Sequence, residues 1–265
     1  QLAGFVAEKT NYHHGEQCLF ETIRNLAQDF IGSNNIPLLY RDGQFGSRLQ
    51  KGEDAANARY IFTRLESITR TIFREEDEVL LDRVIDDGDI VEPQFYIPIV
   101  PMILINGCEG IGTGWASSIP LFNPIDVINC VREWIKDPPQ KSADGLVFST
   151  LPGLTPWYRG FTGKIEEESP GKYVSFGIVQ RDESNKKKQN RVEVTEIPID
   201  MSIQSCYDML MGLSHEEKKI KNFKDYSGAD KPHFVIDEYV DGLKCTAKNL
   251  KLTSKICTSN MVLFD

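Results

Sequence analysis

The stretch from Val91 to Trp115, VEPQFYIPIVPMILINGCEGIGTGW, constrains the fold of this chain more than any other. Prolines at 93, 98 and 101 exclude a long helix there, because each removes an amide donor and clashes with the preceding turn. The Val/Ile/Leu-rich centre favours extended chain, and the stretch closes on Gly107, Gly110, Gly112 and Gly114. Before it, Ile23, Leu26, Ala27 and Phe30 have the three-and-four spacing of an amphipathic helix over Thr22–Phe30, which Gly32-Ser33-Asn34-Asn35 breaks. A second periodic run, Ala55–Phe73, predicts another helix, with a short strand beginning at Ile61 and Phe62 as the alternative. Helix, turn and helix make the framework of a helix-turn-helix or winged-helix module. After Pro120-Leu121-Phe122-Asn123-Pro124 comes a capped amphipathic helix over Ile125–Ile135, stopped by Asp137-Pro138-Pro139, and a domain boundary is expected near residue 121. The remainder alternates predicted strands (Lys164–Ile165, Tyr173–Val179, Val192–Ile197, His233–Tyr239, Leu250–Leu252) with one helix, Ser202–Gly212, an α+β pattern. Ser184–Asn190 reads as a hairpin loop, and no internal repeat is found.

At 265 residues and 40% hydrophobic content, the chain can bury a core in each of two domains. No apolar run is long enough to span a bilayer, and the N-terminus lacks the order of a signal peptide, so no membrane partner is expected. The six cysteines are scattered without a C-x-x-C pair, which argues against zinc and against a disulfide framework. A net charge of -9 argues at first sight against nucleic acid, since phosphate binding is driven by Lys and Arg displacing counterions. The acidity is local, however: Glu75–Glu92 holds nine acids and one arginine, whereas residues 1–74 carry nine basic against eight acidic residues. That segment reads as a solvated surface, and it could also keep DNA off the wrong face.

Four short constellations invite a chemical reading. Tyr12-His13-His14-Gly15-Glu16 sets two imidazoles before a helix start, where ring and backbone N–H groups can reach a phosphate oxygen; alternatively they are surface or structural donors. Arg59-Tyr60 pairs a phenol, a poor nucleophile near neutrality because it holds its proton up to about pH 10, with a guanidinium that stabilises developing negative charge. A tyrosine at helical spacing can equally be a packing residue. Gly107–Gly114 lacks the ending of a nucleotide loop. Ile111 within it either anchors the loop to the core or wedges between base pairs. Asp86-Asp87-Gly88-Asp89 imitates a magnesium site, but Asp-Gly in an acidic run is more simply a turn.

Taken in order, GFVAEKTNYHHGE, NLAQDFIGSNNIPLL, DGQFGSRL, ARYIFTRL, VEPQFYIPIVPMILINGCEGIGTGW and the closing SNMVLFD resemble the breakage-and-reunion region of eukaryotic-type (type IIA) DNA topoisomerase II. The resemblance is dense to about residue 124, looser through residues 156–163 and 194–198, and renewed at the end. It implies an α+β protein: a winged-helix DNA-binding domain with the active-site tyrosine over residues 1–120, then a mixed α/β tower domain over 121–265. It sets Tyr60 at the catalytic tyrosine, Arg59 at its partner arginine, and His14 and His13 at the histidines next to the scissile phosphate. Ile111 matches the isoleucine that intercalates and bends the duplex. Gln28, Ser33, Asn34 and Lys51 fall on DNA-binding positions, and Gln17 falls where cleavage-complex inhibitors are contacted.

The resemblance further implies an ATP-dependent topoisomerase that cuts double-stranded DNA by tyrosine transesterification and acts as a homodimer, one tyrosine per strand. Mg²⁺ would be bound by a TOPRIM domain and ATP by an ATPase domain, both outside this chain. Neither the E-G-D-S-A and D-x-D motifs of TOPRIM nor an ATPase signature occurs here, so no metal site is expected in the chain, which should be a fragment of a larger subunit. Placement in the nucleus follows the family, or cytoplasmic replication sites for a large DNA virus. One departure stands before the tyrosine: Lys51-Gly52-Glu53-Asp54 replaces G-G-K-D, so either Lys51 substitutes for the lost phosphate contact or local DNA affinity is lower. The alternatives are a non-catalytic DNA-binding or interaction module that kept the fold, and a purely structural or protein-binding role for residues 121–265.

Overall fold

The first helices begin where backbone geometry, rather than apolar spacing alone, allows. In the computed structural model, which describes residues 1–138, 140–142, 145–147, 153–181, 191–239 and 245–263, helix α1 (Leu2–Thr10) ends at Asn11 in a left-handed conformation. Gly15, at φ 87°, turns the chain into α2 (Glu16–Ala27). Helix α2 therefore starts earlier than the periodicity of Thr22–Phe30 suggests, and it stops at Gln28, whose backbone is extended.

The helix expected over Ala55–Phe73 does not form. A 3-10 turn (Ala58–Tyr60) leads instead into a strand, so the alternative reading of Ile61 and Phe62 is the correct one. Strand β1 (Leu39–Asp42) pairs antiparallel with β2 (Phe62–Leu65), Leu39 opposite Leu65, and the Thr63 hydroxyl donates to the Tyr40 carbonyl at 2.7 Å. Aromatic and β-branched residues favour such a ladder over a helix. Helical geometry resumes only in α3 (Thr69–Ile72). The acidic segment opens with a 3-10 helix (Glu75–Leu80) and continues as a two-stranded hairpin, β3 (Arg83–Asp86) with β4 (Asp89–Pro93), closed by the Asp-Gly turn. Within the proline-rich stretch the chain is not extended throughout, because one turn of helix, α4 (Met102–Ile105), starts directly after Pro101 and buries Ile105. Strands β5 (Cys108–Ile111) and β6 (Ala116–Ile119) then form a hairpin. Gly107 at its base has φ 72°, and a Cβ there would come within 2.6 Å of the Ile119 carbonyl oxygen.

Helix α5 (Pro124–Lys136) is capped by the Asn123 side chain and ends at Asp137, close to the predicted bounds. It is followed by β7 (Gln140–Ser142) paired with β8 (Gly145–Val147). Strands β9 (Lys164–Ser169) and β10 (Lys172–Phe176) belong to one sheet, whereas β11 (Ile178–Arg181) and β12 (Val192–Glu196) belong to another. The predicted single strand Tyr173–Val179 is thus two, parted at Gly177, where a Cβ would meet the Glu196 carbonyl. Helix α6 (Ile203–His215) follows, capped by Ser202, and then β13 (Ile220–Asp225), β14 (Phe234–Tyr239) and β15 (Thr253–Cys257). The sheet orders are β15-β10-β9 and β11-β12-β14-β13, with antiparallel pairing throughout. Helix α6 buries Ile203, Cys206, Leu210 and Leu213 in a core with Val192, Val194, Phe234 and Ile236. Leu250 and Leu252, expected in a strand, instead lie in and just after a turn and are fully buried in this core. The Ser184–Asn190 loop lies outside the described residues.

Two buried polar side chains tie the early segments to the later ones. The Asn35 amide donates to the carbonyls of Ile105, Phe122 and Trp157 at 3.0, 3.0 and 3.1 Å, and its oxygen accepts from the Arg159 N–H at 2.8 Å. Arg48 pairs with Glu196 at 2.6 Å and donates to the Ile197 carbonyl at 2.8 Å. The Arg48 and Leu49 carbonyls accept from the N–H groups of Ile203 and Gln204 at the start of α6. Such donors have no partner within a helix, and here another segment satisfies them.

Candidate active site

The site is organised by the loop between β1 and β2. Asp54 closes it, accepting from the Ser47 N–H at 2.9 Å, the Ser47 hydroxyl and the Gln44 amide. Gly46, at φ 100°, lies so close to the Gly52 backbone that any side chain would collide. The Gln28 amide donates to the Phe45 carbonyl at 2.9 Å. Held in this way, the loop delivers the 3-10 turn, where the Asn57 side chain accepts from the backbone N–H and Nε of Arg59 at 3.2 and 3.3 Å. The Arg59 guanidinium consequently lies 5.5 Å from the centre of the Tyr60 ring, and Tyr60 is 69% exposed. An exposed phenol beside a fixed cation can reach a large polyanion that a buried pair could not. A cavity of about 460 Å³ adjoins Arg59, bounded by Phe20, Ile23 and Arg24 of α2 together with Phe45 and Phe62.

Arg59 and Tyr60 are the pair that the fold brings together. His13 faces Asp86 on the acidic hairpin, with Nε2 to carboxylate 3.5 Å, while His14 meets Tyr12 edge-on at 5.5 Å. The Gln17 amide donates to Glu21 at 3.0 Å on the exposed face of α2. Ile111, 88% exposed, stands at the end of β5 away from the core, so the anchoring role does not apply. Lys51 is exposed, 3.9 Å from the Asp200 carboxylate, and Glu53 lies 3.8 Å from Arg24.

Three of the anticipated DNA contacts have side chains that donate to backbone carbonyls, and of these Gln28 is buried while Ser33 and Asn34 are half-buried. Gln28 is buried with its amide on the Phe45 carbonyl, Asn34 donates to the Asn25 and Gln28 carbonyls at 2.7 and 2.9 Å, and the Ser33 hydroxyl donates to Phe30 at 2.5 Å. Ser33 and Asn34 supply donors to carbonyls at the end of α2 and in the turn after it, and Gln28 supplies one to the β1–β2 loop, where each carbonyl would otherwise lack it. Sequence reasoning missed Asn35, Arg48 and Asp54, which shape the site from within. The motifs containing Asn35 and Arg48 were visible, but nothing in them marks a polar side chain as buried.

Among the described residues no three His, Cys, Asp or Glu side chains converge on a point suited to a metal ion. Asp86 and Asp89 face each other across the β3–β4 turn.

An exposed tyrosine with an arginine alongside thus stands on an antiparallel α+β scaffold from which a hairpin bearing exposed Ile111 projects. Residues 1–265 match the DNA gyrase/topoisomerase IV A-subunit family, and the chain belongs to this type II topoisomerase family. It is 44% identical over 265 residues to DNA topoisomerase 2 of Invertebrate iridescent virus 6, a match covering 100% of this chain and 22% of that protein. Against DNA topoisomerase 2 of Saccharomyces cerevisiae the identity is 41% over 273 residues, covering 100% and 18%. A similar solved structure is the Plasmodium falciparum topoisomerase II DNA-binding, cleavage and re-ligation domain, with TM-score 0.88 and 41% identity, covering 100% of this chain and 35% of that one. The chain spans about a fifth of the length of these curated relatives.

Proposed function

We propose that this chain is the DNA gate of an ATP-dependent type II topoisomerase, with Tyr60 as the nucleophile. The observation that carries the reading is the exposed Tyr60 with the Arg59 guanidinium 5.5 Å from its ring. The phenolic oxygen attacks a backbone phosphorus, the bond to the 3′ oxygen breaks, and the proton lost by the phenol ends on that oxygen. The 5′ phosphate stays on Tyr60 until the 3′ hydroxyl reverses the step, so religation needs no energy source. Arg59 stabilises charge on the phosphorane, since guanidinium N–H donors match phosphate geometry and cannot lose their proton. His14 and His13 contribute donors to the scissile phosphate, Lys51 contacts the backbone, and Ile111 enters the stack and bends the duplex. Gln28, Ser33 and Asn34 shape the turn beneath that surface. Gln17, exposed near the start of α2, is where a cleavage-complex inhibitor would be felt.

The division into a winged-helix domain over 1–120 and a tower domain over 121–265 is part of the same proposal. So is the homodimer, in which each subunit cuts one strand of double-stranded DNA. Mg²⁺ belongs to a TOPRIM domain and ATP to an ATPase domain of the full subunit; bound magnesium would supply positive charge to the phosphate oxygens. Work in the nucleus, or at cytoplasmic replication sites for a viral source, is part of the same proposal. Among the described residues no helix is long and apolar enough to cross a membrane.

Relaxation of supercoiled plasmid by the complete subunit, with Mg²⁺ and ATP, tests this function. Tyr60→Phe is expected to abolish relaxation without weakening DNA binding. Relaxation that persists in this variant would rule the reading out in favour of a non-catalytic module.

A further inference from the structure

Asn57 holds both members of the candidate pair. Its side-chain oxygen accepts from the Arg59 backbone N–H at 3.2 Å and from Arg59 Nε at 3.3 Å, while its backbone carbonyl accepts from the Tyr60 N–H at 2.9 Å. The residue before it is fixed in turn, because the Ala56 N–H donates to the Gln44 carbonyl at 2.9 Å. The chain therefore enters the 3-10 turn from a set point, and one residue decides where the guanidinium stands relative to the phenol.

Which nitrogen Asn57 takes matters for the chemistry. A guanidinium offers one N–H on Nε and four on its two terminal nitrogens. With Nε turned to Asn57, the terminal nitrogens remain, and among the described residues nothing accepts a hydrogen bond from them. That end suits a phosphate, which accepts from two parallel N–H groups. Arg59 is exposed, so without this hold its long side chain would spread over several rotamers, and ordering it would fall on the reaction step. The amide is also neutral. A carboxylate here could take the same bonds but would cancel part of the charge a phosphorane needs, whereas the Asn57 oxygen orients the guanidinium and leaves its charge intact.

We infer that Asn57 is a positioning residue for strand cleavage: by occupying Nε it presents the terminal nitrogens of Arg59 to the phosphate that Tyr60 attacks. The inference rests on the DNA-gate reading of Tyr60 and Arg59. Asn57 acts through Arg59 and needs no contact of its own with DNA.

The test measures the single-turnover rate of covalent complex formation by the complete subunit, with Mg²⁺ and saturating nicked duplex. Asn57→Ala should slow this step by about fivefold while duplex affinity stays within about twofold of the parent, since one hydrogen bond to a charged group is lost and no DNA contact is. Asn57→Ser separates the two side-chain bonds: serine caps a helical turn about as well as asparagine, but its hydroxyl is one bond shorter and falls short of Nε. It should match the parent in thermal unfolding and Asn57→Ala in rate, so it carries the test if the alanine variant fails to fold. In an Arg59→Lys background, which keeps the positive charge and the backbone N–H at 59 but lacks Nε, Asn57→Ala should change the rate by less than about 1.5-fold. A rate untouched by Asn57→Ser, or an equal slowing by Asn57→Ala in both backgrounds, overturns this inference and spares the DNA-gate reading. No covalent complex with the unaltered subunit, or one that persists in Tyr60→Phe, overturns both.

Discussion

Asn35 uses both ends of its amide: removal by Asn35→Ala leaves an Arg159 N–H and three carbonyls without their partner. Each orphaned group costs about 1–3 kcal/mol, so urea unfolding should show a loss of at least about 3 kcal/mol. A loss below about 1 kcal/mol would mean that water takes the place of the amide. Thiol reactivity offers a second check at this scale. Burial pushes the Cys206 thiol up to about 12, while a hydrogen bond with Ser259 lowers that of exposed Cys257. Mass spectrometry after iodoacetamide treatment at pH 7 should find Cys257 alkylated early and Cys206 untouched until the protein unfolds, because the thiolate is the reacting form. Residue by residue, the sequence was most legible where chemistry is exposed. Tyr60 and Ile111, which their motifs alone left open between packing and chemistry, stand in solvent, whereas the side chains of Gln28, Ser33 and Asn34 are taken up by backbone carbonyls. A polar side chain next to a turn can serve either water or an unpaired carbonyl, and the choice depends on packing that no local pattern encodes.

Elements were legible when their signals were local. Helix α5 begins at Pro124 and α6 at Ile203, each within one residue of the start expected from the sequence. Ser202 accepts from the Ser205 N–H at 2.9 Å, so Ser202→Ala should cost about 1 kcal/mol in thermal or urea unfolding. Legibility failed where a distant partner decided. The residues from Ile61 to Leu65 satisfy a helical spacing, yet β1 offers them a ladder, and the ladder prevails. The β5–β6 hairpin depends in the same way on Gly107. Gly107→Ala, strained at φ 72° and crowding the Ile119 carbonyl, should misalign the hairpin and weaken DNA bending in a fluorescence-transfer assay, while leaving the Arg59–Tyr60 turn intact. Unchanged bending would show that the hairpin tolerates the strain.

Across the whole molecule, the loop that delivers the tyrosine is bound to the C-terminal half through Arg48 and Glu196, both almost fully buried. The Glu196 carboxylate also accepts from the Thr162 N–H and hydroxyl at 3.1 and 2.8 Å, which leaves little slack in the pair. Breaking such a pair strands a charge in the interior and costs about 3–5 kcal/mol. Glu196→Ala should therefore destabilise the chain by that amount in urea, while the joint replacement Arg48→Met with Glu196→Leu should recover most of it; failure to recover would give the pair a role beyond charge balance. This tie was invisible in the sequence, because 148 residues separate the partners and neither belongs to a charged run. The central claim concerns the tyrosine itself, and covalent trapping tests it most directly. The chain, combined with a TOPRIM-containing fragment and Mg²⁺, is incubated with nicked duplex carrying a 3′ label on the strand to be cut and then denatured. Label joined to the protein through Tyr60, and absent with Tyr60→Phe, is the predicted result; folded, DNA-bound protein that acquires no label would contradict it.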